Sequence, residues 1–321
     1  MVRHFINEFQ DQESINQVFR AGNKLLRPNR NGETYLQVDL SDKTGSLTAR
    51  LWNAGESVYN SFENGDYIQV EGKTQIFQGA MQMIAKKIRR VEASNVDEDD
   101  FLRIPSVKSD QLVVKMSEML RNLRDPNLNA LAECYLMDAD FMQKFCVLPA
   151  GVKHHHAYFG GLIQHTLTMM EAAQKLSALY PKLHPELLIF SAFLHDTGKT
   201  EELASDPEFS YTDEGQLLGH IALGLRILDA KIVEAERLSG ETFPPEVAKH
   251  LRHIIASHHG EYEYGSPKLP MTLEAMALHC LDMLDSKLAA FDQVINEDLN
   301  SSSPWTLFVP TLQRKLYKKE L

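Results

Sequence analysis

The chain has few of the features that mark secreted, membrane-spanning or disulfide-bonded proteins. Its three cysteines, at positions 134, 146 and 280, are too few and too scattered for a disulfide framework or a Cys-x-x-Cys metal site. No stretch approaches the roughly 20 apolar residues of a membrane span. The opening Met-Val-Arg-His-Phe has no apolar core of the kind that a signal peptide needs. We therefore expect a cytoplasmic protein with reduced thiols and no membrane partner.

Charge is spread unevenly along the 321 residues. The net charge is −11, with 43% hydrophobic and 24% charged residues, which is typical of a soluble globular protein long enough for two domains. Residues 1–95 carry 12 Lys and Arg against 11 Asp and Glu, whereas the remainder carries 21 against 33. An acidic chain argues at first against nucleic-acid binding. The first part is not acidic, however, and bound divalent cations would offset part of the later excess.

The first 95 residues have the pattern of β-structure. Short runs, several with period-two alternation, are separated by Asn-Gly, Thr-Gly and Gln-Gly turn signals. The runs cover residues 19–26, 35–40, 46–52, 66–71 and 81–84. Residues 54–62 could form a short helix between the third and fourth runs. Five strands with a helix at that point is the layout of an oligonucleotide-binding (OB) barrel.

Two segments of this region, 40–52 and 62–72, resemble the nucleic-acid-binding OB domains. Such barrels bind single strands by stacking bases on aromatic rings beside a positive groove. The candidates for stacking are Tyr35, Trp52 and Phe77, and the candidates for charge are Arg50, Lys73, Lys86 and Lys87. Each ring could instead belong to the barrel core, and the lysines could form a solvated strand end.

The rest of the chain is predicted to be helical. An acidic segment, residues 91–100, is the candidate linker. We predict a helix from residue 109, a break at Asp125-Pro126, and a second helix over 127–145. Further helices are predicted at 160–180, 185–196, 217–238, 245–257 and 270–295. The predicted organisation is an OB barrel (1–95), an acidic linker and helical lead-in (96–149), an all-α bundle (150–300) and a tail (301–321). The basic end of that tail is either an RNA contact or a solvated terminus.

Histidines and aspartates recur near the ends of five predicted helices. They are His165, His195, Asp196, His220, His258, His259, Asp282 and Asp285. A single helical histidine is more often a core or surface residue, but the shared context favours a metal site. Imidazole and carboxylate together suit Mn²⁺, Fe²⁺, Zn²⁺ or Ni²⁺, and carboxylates alone suit Mg²⁺. Adjacent helical residues diverge by about 100°, so His195 and Asp196 converge only on a metal between their directions. Gly198 is expected to give the backbone room to turn there.

This ordered set resembles the HD phosphohydrolase superfamily over about residues 150–295. The resemblance implies a first metal held by His165, His195, Asp196 and Asp282, with Asp196 bridging. It implies a second metal held by His220 and by His258 or His259. Two such cations stabilise both the attacking and the leaving oxygen of an in-line displacement. Mn²⁺ is favoured.

Three further groups of residues are assigned to the predicted catalytic site. Lys199 is predicted to contact a non-bridging phosphate oxygen, the alternative being an ordinary surface lysine. Asp285 lies three residues after Asp282, on the same helical face, and is predicted to orient a ligand or a lysine. The candidate substrate contacts at the mouth of the site are Lys153, His156 and Tyr158, beside His154 and His155.

The combination of an OB domain with an HD domain resembles the YhaM-type 3′→5′ exoribonucleases nearly end to end. That resemblance implies a homo-oligomeric, Mn²⁺-favouring hydrolase of single-stranded RNA, with single-stranded DNA as a further substrate. One alternative is a nucleotide or cyclic-dinucleotide phosphohydrolase with a regulatory OB domain. Against it, the Gly-Tyr-Pro motif of the cyclic-dinucleotide enzymes is absent after His259-Gly. A second alternative is a non-catalytic RNA-binding protein.

Overall fold

Two units make up the chain in the computed structural model. The structure describes residues 3–28, 33–77, 80–101, 109–151, 159–204, 209–296, 298 and 303–319. Unit 1 comprises Met1–Ile104 with Phe291–Leu321, and unit 2 comprises Pro105–Ser205 with Phe209–Ala290. Among the described residues, no helix is both long enough and apolar enough to cross a membrane. The domain borders given above stay predictions.

Unit 1 contains a closed five-stranded barrel, which confirms the predicted OB fold. The strands are β1 (Ser14–Pro28), β2 (Thr34–Asp42), β3 (Gly45–Trp52), β4 (Tyr67–Phe77) and β5 (Ala80–Val91), and helix α1 (Glu56–Tyr59) lies between β3 and β4. Their order around the barrel is β1-β2-β3-β5-β4. Neighbours are antiparallel except β3 and β5, which pair in parallel. Every strand is longer than its predicted run because ladder hydrogen bonds continue beyond the apolar core.

Side chains alternate between the barrel interior and the solvent along these strands. On β2, Leu36, Val38 and Leu40 are fully buried. The β2–β3 turn is closed by the buried Asp42, whose Oδ1 accepts hydrogen bonds from the Thr44 nitrogen at 2.7 Å and hydroxyl at 2.6 Å. The Thr-Gly turn signal noted in the sequence therefore has a clear physical basis: the carboxylate of Asp42 caps its own turn.

The acidic segment predicted as a linker is partly folded within unit 1. After β5 it forms two single turns of 3₁₀-helix, Ala93–Asn95 and Glu98–Asp100. Asp100 is paired with Arg3 at 3.2 Å and with Lys43 at 3.1 Å. The Arg3 guanidinium lies 4.3 Å from the centroid of the buried Phe101 ring. Residues 98–101 are thus attached to the barrel rather than extended in solvent.

Unit 2 is a helical bundle. Its helices are α2 (Ser109–Arg121), α3 (Pro126–Leu136), α4 (Ala139–Val147), α5 (Gly161–Ser177), α6 (Pro185–Leu194), α7 (Lys199–Glu202), α8 (Asp213–Ser239), α9 (Pro245–Ser257) and α10 (Leu273–Asn296), the last of which continues into unit 1 from Phe291. The predicted break at Asp125-Pro126 is present, with Asp125 capping α3. The prediction of a single helix over residues 127–145 is wrong, because the segment forms two helices. It is divided at Asp138, whose side chain accepts from the Phe141 nitrogen at 3.0 Å and so begins α4.

Helix α6 lies at the centre of this bundle. All eight residues from Leu187 to Leu194 are buried. Its Phe193 meets the ring of Tyr135 at 5.4 Å between centroids and that of Phe145 at 5.6 Å. A helix that is apolar on every side is stable only when it is surrounded by other elements. The residue that follows α6, His195, is therefore held at the end of a helix that is buried on every side.

Candidate metal centre

The first group of predicted ligands meets at the ends of three helices. His165 of α5, His195 at the end of α6 and Asp282 of α10 have ligand atoms within 4.8 Å of one another; we call them the first cluster. The Nε2 of His165 lies 3.2 Å from the Nε2 of His195 and 3.4 Å from Asp282 Oδ1. Two hydrogen bonds fix the rings: His165 Nδ1 with Asp285 Oδ2 at 2.7 Å, and His195 Nδ1 with the Ala192 carbonyl at 2.9 Å.

The second cluster consists of His220, His258 and His259, again with ligand atoms within 4.8 Å of one another. His220 Nε2 and His259 Nε2 are 3.2 Å apart. Each ring is anchored through Nδ1: His220 to Glu202 Oε1 at 3.2 Å, His258 to the Ile255 carbonyl and His259 to the Tyr264 carbonyl, both at 2.8 Å. The sequence left open whether His258 or His259 is the ligand. The geometry brings both to the cluster.

Asp196 lies between the two clusters. Its Oδ2 is 3.4 Å from His195 Nε2 and 3.7 Å from His165 Nε2. Its Oδ1 is 3.7 Å from His220 Nε2 and 3.8 Å from His258 Nε2. Two donors about 2.1 Å from one cation, at angles of about 90° to 110°, are separated by about 3.0 to 3.5 Å. The distances within and around the clusters are close to that separation, so this donor set fits divalent cations.

One buried nitrogen supports the same conclusion independently. The Nε2 of His258 is buried and has no hydrogen-bond partner among the described residues. A buried polar atom without a partner costs roughly 1 to 3 kcal/mol, so each such atom calls for an explanation. A cation between His258 and its neighbours would supply the missing partner.

The local backbone conformation places His220 in the second cluster. Helix α8 is kinked at Gly219, which has φ 72° and ψ 159°. The kink turns the His220 nitrogen towards Glu202 Oε1, at 3.0 Å. The prediction that Gly198 gives the backbone room to turn is wrong, because its φ of −62° and ψ of −19° are ordinary helical values. Glycine is required there because the backbone of α8 approaches closely, so that an added Cβ would lie 2.6 Å from the Gly224 nitrogen.

The first cluster attracts and holds positive charge. Burial disfavours the imidazolium form of His165, but hydrogen bonds to Asp282 and Asp285 outweigh that cost and raise the pKa of His165 to about 9. Burial likewise opposes ionisation of Asp196, yet the Lys199 ammonium and His195 hold the pKa of Asp196 well below its usual range. The pKa of Asp282 is also lowered, against the effect of burial, by its hydrogen bond with His165. Without a metal, protons occupy part of this site.

In the second cluster, by contrast, the surroundings disfavour the protonated form of the histidines. Burial and the neighbouring His195 and His259 lower the pKa of His258 well below its usual range. Burial and His220 similarly lower the pKa of His259. Neutral imidazole is the form that binds metals. These two histidines are therefore ready to bind a cation at neutral pH without first losing a proton.

Lys199 lies against the carboxylate of Asp196. Its Nζ donates to Asp196 Oδ2 at 2.7 Å and to the Ala150 carbonyl at 2.5 Å, and its side chain is only 14% exposed. It is therefore not an ordinary surface lysine. The predicted contact with a phosphate oxygen stays a prediction, since in this arrangement the ammonium is engaged with Asp196.

A cavity of about 480 Å³ opens over both clusters, a volume in the range of small-ligand sites. It is lined by His165, Asp196, Lys199, His220, His259 and Asp282, together with Glu202, Tyr211, Tyr264, His279 and Met283. Sequence reasoning missed Glu202, although its position three residues after Lys199 puts both on one face of α7. It also gave no role to His279, whose Nδ1 lies 3.0 Å from the His258 carbonyl.

The nucleic-acid candidates of the barrel lie on its outer surface. Tyr35 and Trp52 are paired across β2 and β3, with ring centroids 5.0 Å apart. Trp52 is 46% exposed and Phe77 51% exposed, so neither ring belongs to the core. Along β3, Arg50 points outward with Trp52, and on β5 Lys86 and Lys87 are exposed. The other predicted substrate contacts, Lys153, His156 and Tyr158, fall outside the described residues.

Both predicted domains match known protein families. Residues 18–91 match the family described as OB-fold nucleic acid binding domain, and residues 162–287 match the HD domain. The "3'-5' exoribonuclease YhaM" of Geobacillus sp. (strain WCH70) is 36% identical over 268 residues, which cover 83% of this chain and 80% of that protein. The protein of the same name from Bacillus subtilis (strain 168) is 34% identical over 268 residues, covering 83% and 82%.

The chain belongs to the YhaM exoribonuclease family. The YhaM match extends over most of both chains, as the sequence resemblance predicted. The HD domain of this YhaM-family chain implies that it binds divalent metal, and the two clusters are the groups that could hold it. Among solved structures, the second OB-fold domain of replication protein A from Methanococcus maripaludis is 22% identical, covers 29% of this chain and 98% of that one, and has a TM-score of 0.23. We draw nothing further from a likeness at that TM-score.

Proposed function

We propose that this chain is a metal-dependent 3′→5′ exoribonuclease that hydrolyses phosphodiester bonds of single-stranded RNA. The observation that carries the proposal is the position of Asp196, with one carboxylate oxygen near each histidine cluster. A phosphohydrolase site of this kind, in a chain that also has an outward aromatic face on an OB barrel, suits a nucleic-acid substrate. The names of the relatives supply the direction of cleavage and the preference for RNA.

The proposed cofactor is a pair of divalent cations, with Mn²⁺ favoured over Fe²⁺, Ni²⁺, Zn²⁺ or Mg²⁺. His165, His195 and Asp282 would hold one cation, and His220, His258 and His259 the other, with Asp196 shared. When bound, such cations activate water and neutralise charge on the phosphodiester. The two separate clusters support a count of two cations, and the mixture of imidazole with carboxylate favours transition metals.

The surrounding residues keep the ligands in place. Asp285 accepts from His165 Nδ1, and Glu202 accepts from His220 Nδ1, so in each ring Nε2 is the nitrogen that is directed to the cluster. Partners of this type fix the tautomer of a ligating histidine. Lys199 neutralises Asp196 from the side of Ala150. A substrate phosphate that enters the cavity would compete with Asp196 for this ammonium, which is how Lys199 would take up its predicted role.

The barrel face is proposed to hold the RNA strand. Tyr35 and Trp52 would stack bases, and each base–aromatic stack is worth roughly 1 to 3 kcal/mol. Phe77 would add a third ring at the end of β4. The basic side chains proposed to contact phosphates are Arg50, Lys73, Lys86 and Lys87. Single-stranded DNA would fit the same surface, because stacking does not depend on the sugar.

Two further expectations extend the proposal. Lys153, His156 and Tyr158 are proposed as substrate contacts on the strength of the sequence pattern alone, since they fall outside the described residues. The chain is proposed to form a homo-oligomer, in line with the family resemblance noted in the sequence.

The test is degradation of labelled single-stranded RNA. With Mn²⁺, wild-type protein should shorten a 5′-labelled strand stepwise and release labelled mononucleotide at once from a 3′-labelled strand. Asp196→Ala should abolish both, whereas Asp229→Ala, an exposed aspartate on α8, should retain both. The absence of any metal-dependent shortening would refute the proposal. Hydrolysis of small nucleotides alone would favour a phosphohydrolase with a regulatory barrel, and RNA binding by a metal-free protein would favour a non-catalytic role.

A further inference from the structure

The C-terminal residues form a small folded element. Residues 303–319, which we call the C-terminal hairpin, are joined by antiparallel bridges between Trp305 and Tyr317 and between Val309 and Arg314. Thr306 and Leu316 are buried, and each donates its backbone nitrogen to the other residue at 2.9 Å. The sequence left a solvated terminus as one alternative. Backbone hydrogen bonds and a buried pair of side chains instead hold the described residues 303–319 in a folded element.

An ion pair ties this hairpin to the chain that precedes it. Lys318 Nζ lies 2.6 Å from Asp298 Oδ2, with the two side chains only 15% and 6% exposed. Asp298 also accepts from the Leu307 nitrogen at 3.2 Å. A buried carboxylate with two donors fixes both strands of the hairpin at once. The side chains on the outer side of the hairpin are therefore presented from a rigid support.

Three large rings are exposed on this support. Trp305 is 48% exposed, Phe308 55% and Tyr317 52%. The rings of Trp305 and Tyr317 contact each other, with centroids 4.9 Å apart. Isolated exposed apolar residues are normal, but rings gathered on one element usually mark a binding surface. Large flat rings held in place offer stacking area at little further entropic cost.

The charge of the hairpin indicates what those rings bind. Arg314, Lys315, Lys318 and Lys319 are its charged residues, and no aspartate or glutamate occurs between residues 303 and 319, in a chain of net charge −11. Arg314, Lys315 and Lys319 are exposed. Exposed rings interleaved with cations are the arrangement that binds an unpaired polyanionic strand. Protein–protein interfaces, in contrast, are depleted in lysine relative to the rest of the protein surface.

We propose that the C-terminal hairpin is a second binding surface for single-stranded RNA, separate from the outer face of the barrel. Trp305 and Tyr317 stack bases, and Arg314, Lys315 and Lys319 contact phosphates. The proposal rests on the proposed function for the identity of the strand. It adds a binding site outside both the OB-fold match and the HD match, which end at residues 91 and 287.

Binding of labelled single-stranded oligoadenylate to the full chain tests it by fluorescence anisotropy, with Asp196→Ala present throughout to keep the strand intact. Trp305→Ala and Tyr317→Ala should each weaken affinity about tenfold, the loss expected from one base–ring stack. Trp305→Phe should keep most of the affinity. Tyr180→Ala, which removes a ring that is 57% exposed after α5, should change nothing.

A salt titration provides a second readout that does not disturb the hairpin. Lys315→Gln with Lys319→Gln should lower the slope of log affinity against log salt by about 1.4, or about 0.7 for each lost phosphate contact on a single strand.

Unchanged affinity in the ring variants, together with an unchanged slope, overturns the proposal while leaving the proposed function intact if wild-type protein still shortens RNA. A lower molar mass in light scattering with unchanged RNA affinity would instead identify a contact between copies of the chain. Failure of the wild-type chain to bind or shorten RNA would overturn the proposed function as well.

Discussion

Replacement of Gly198 by alanine should disrupt the second cluster without touching any ligand. Gly198 immediately precedes α7 and faces the backbone of α8 at the point where α8 carries His220. An alanine Cβ at this position would overlap the His220 carbonyl oxygen and would lie 2.6 Å from the Gly224 nitrogen. Both obstacles are backbone atoms, so no side-chain rotation relieves the overlap. The two segments have to move apart by about 1 Å to restore ordinary contact.

Two effects of different size follow. Overpacking of a close contact costs typically about 1 to 3 kcal/mol of the free energy of unfolding. The larger effect concerns function, because a ligand displaced by about 1 Å no longer fits the geometry that a cation requires. Gly198→Ala should therefore lower the thermal midpoint by several degrees and also reduce the bound metal from the proposed two ions towards one per chain.

Gly224→Ala is the matched control, since Gly224 lies on the other side of the same contact. An alanine Cβ there would be 3.5 Å from the Gly198 nitrogen and 3.5 Å from Ile255 Cγ2, which is ordinary van der Waals contact. Gly224 lies within α8, where alanine is favoured over glycine by up to about 1 kcal/mol. This variant should keep or slightly raise stability and keep both ions.

The assays are thermal and urea denaturation and metal analysis of the purified proteins, followed by RNA degradation. The reasoning is refuted if Gly198→Ala is as stable as Gly224→Ala and binds the same number of ions. Loss of stability with retention of two ions would show that α7 and α8 can separate without displacing His220.

Three other predictions concern protonation, ligand support and RNA binding. Because the pKa of His165 is raised to about 9 in the folded chain, its stabilising effect is complete below about pH 6.5 and is lost as pH rises through about 9. Metal-free protein should lose up to about 3 kcal/mol of unfolding free energy over that window in urea titrations, and Asp285→Asn should flatten the dependence. Glu202→Gln should weaken one of the two metal-binding steps in calorimetry by about 10- to 100-fold, whereas Glu201→Gln, which loses only its pairing with Arg226, should weaken neither. Trp52→Ala should weaken binding of single-stranded RNA about tenfold in anisotropy measurements, and unchanged affinity would exclude the barrel face as the binding surface.

Much of the fold followed from local patterns. Period-two alternation and glycine-containing turns gave the five strands, because an outward or inward position repeats every two residues. The helices of unit 2 followed from their apolar spacing and from prolines at first-turn positions, as in α6 and α9. The error over residues 127–145 has a local cause. Asp138 caps a new helix, and an aspartate within an otherwise helical pattern gave too weak a stop signal.

The candidate site was predictable in its residues but not in its geometry. The types and order of the histidines and aspartates were enough to select the candidate ligands. Whether His258 or His259 approaches the cluster depends on the turn after α9, where both rings are anchored by carbonyls of Ile255 and Tyr264. The directions that these carbonyls give to the two rings leave no mark in a single sequence. The same holds for Gly198, whose small size matters only because α8 passes beside it.

The complete burial of α6 has a consequence for the rate at which metal is lost. His195 and Asp196 follow directly on this helix, and amides buried at the centre of a bundle exchange with solvent only when the whole unit opens. The slowest-exchanging amides should therefore include those of residues 188–194. A cation held by His195 would then escape quickly only through movement of Asp282, the more exposed ligand of that cluster, and not through movement of His195 and Asp196. Exchange of the metal and exchange of the core amides should accordingly be two separate processes on two different timescales.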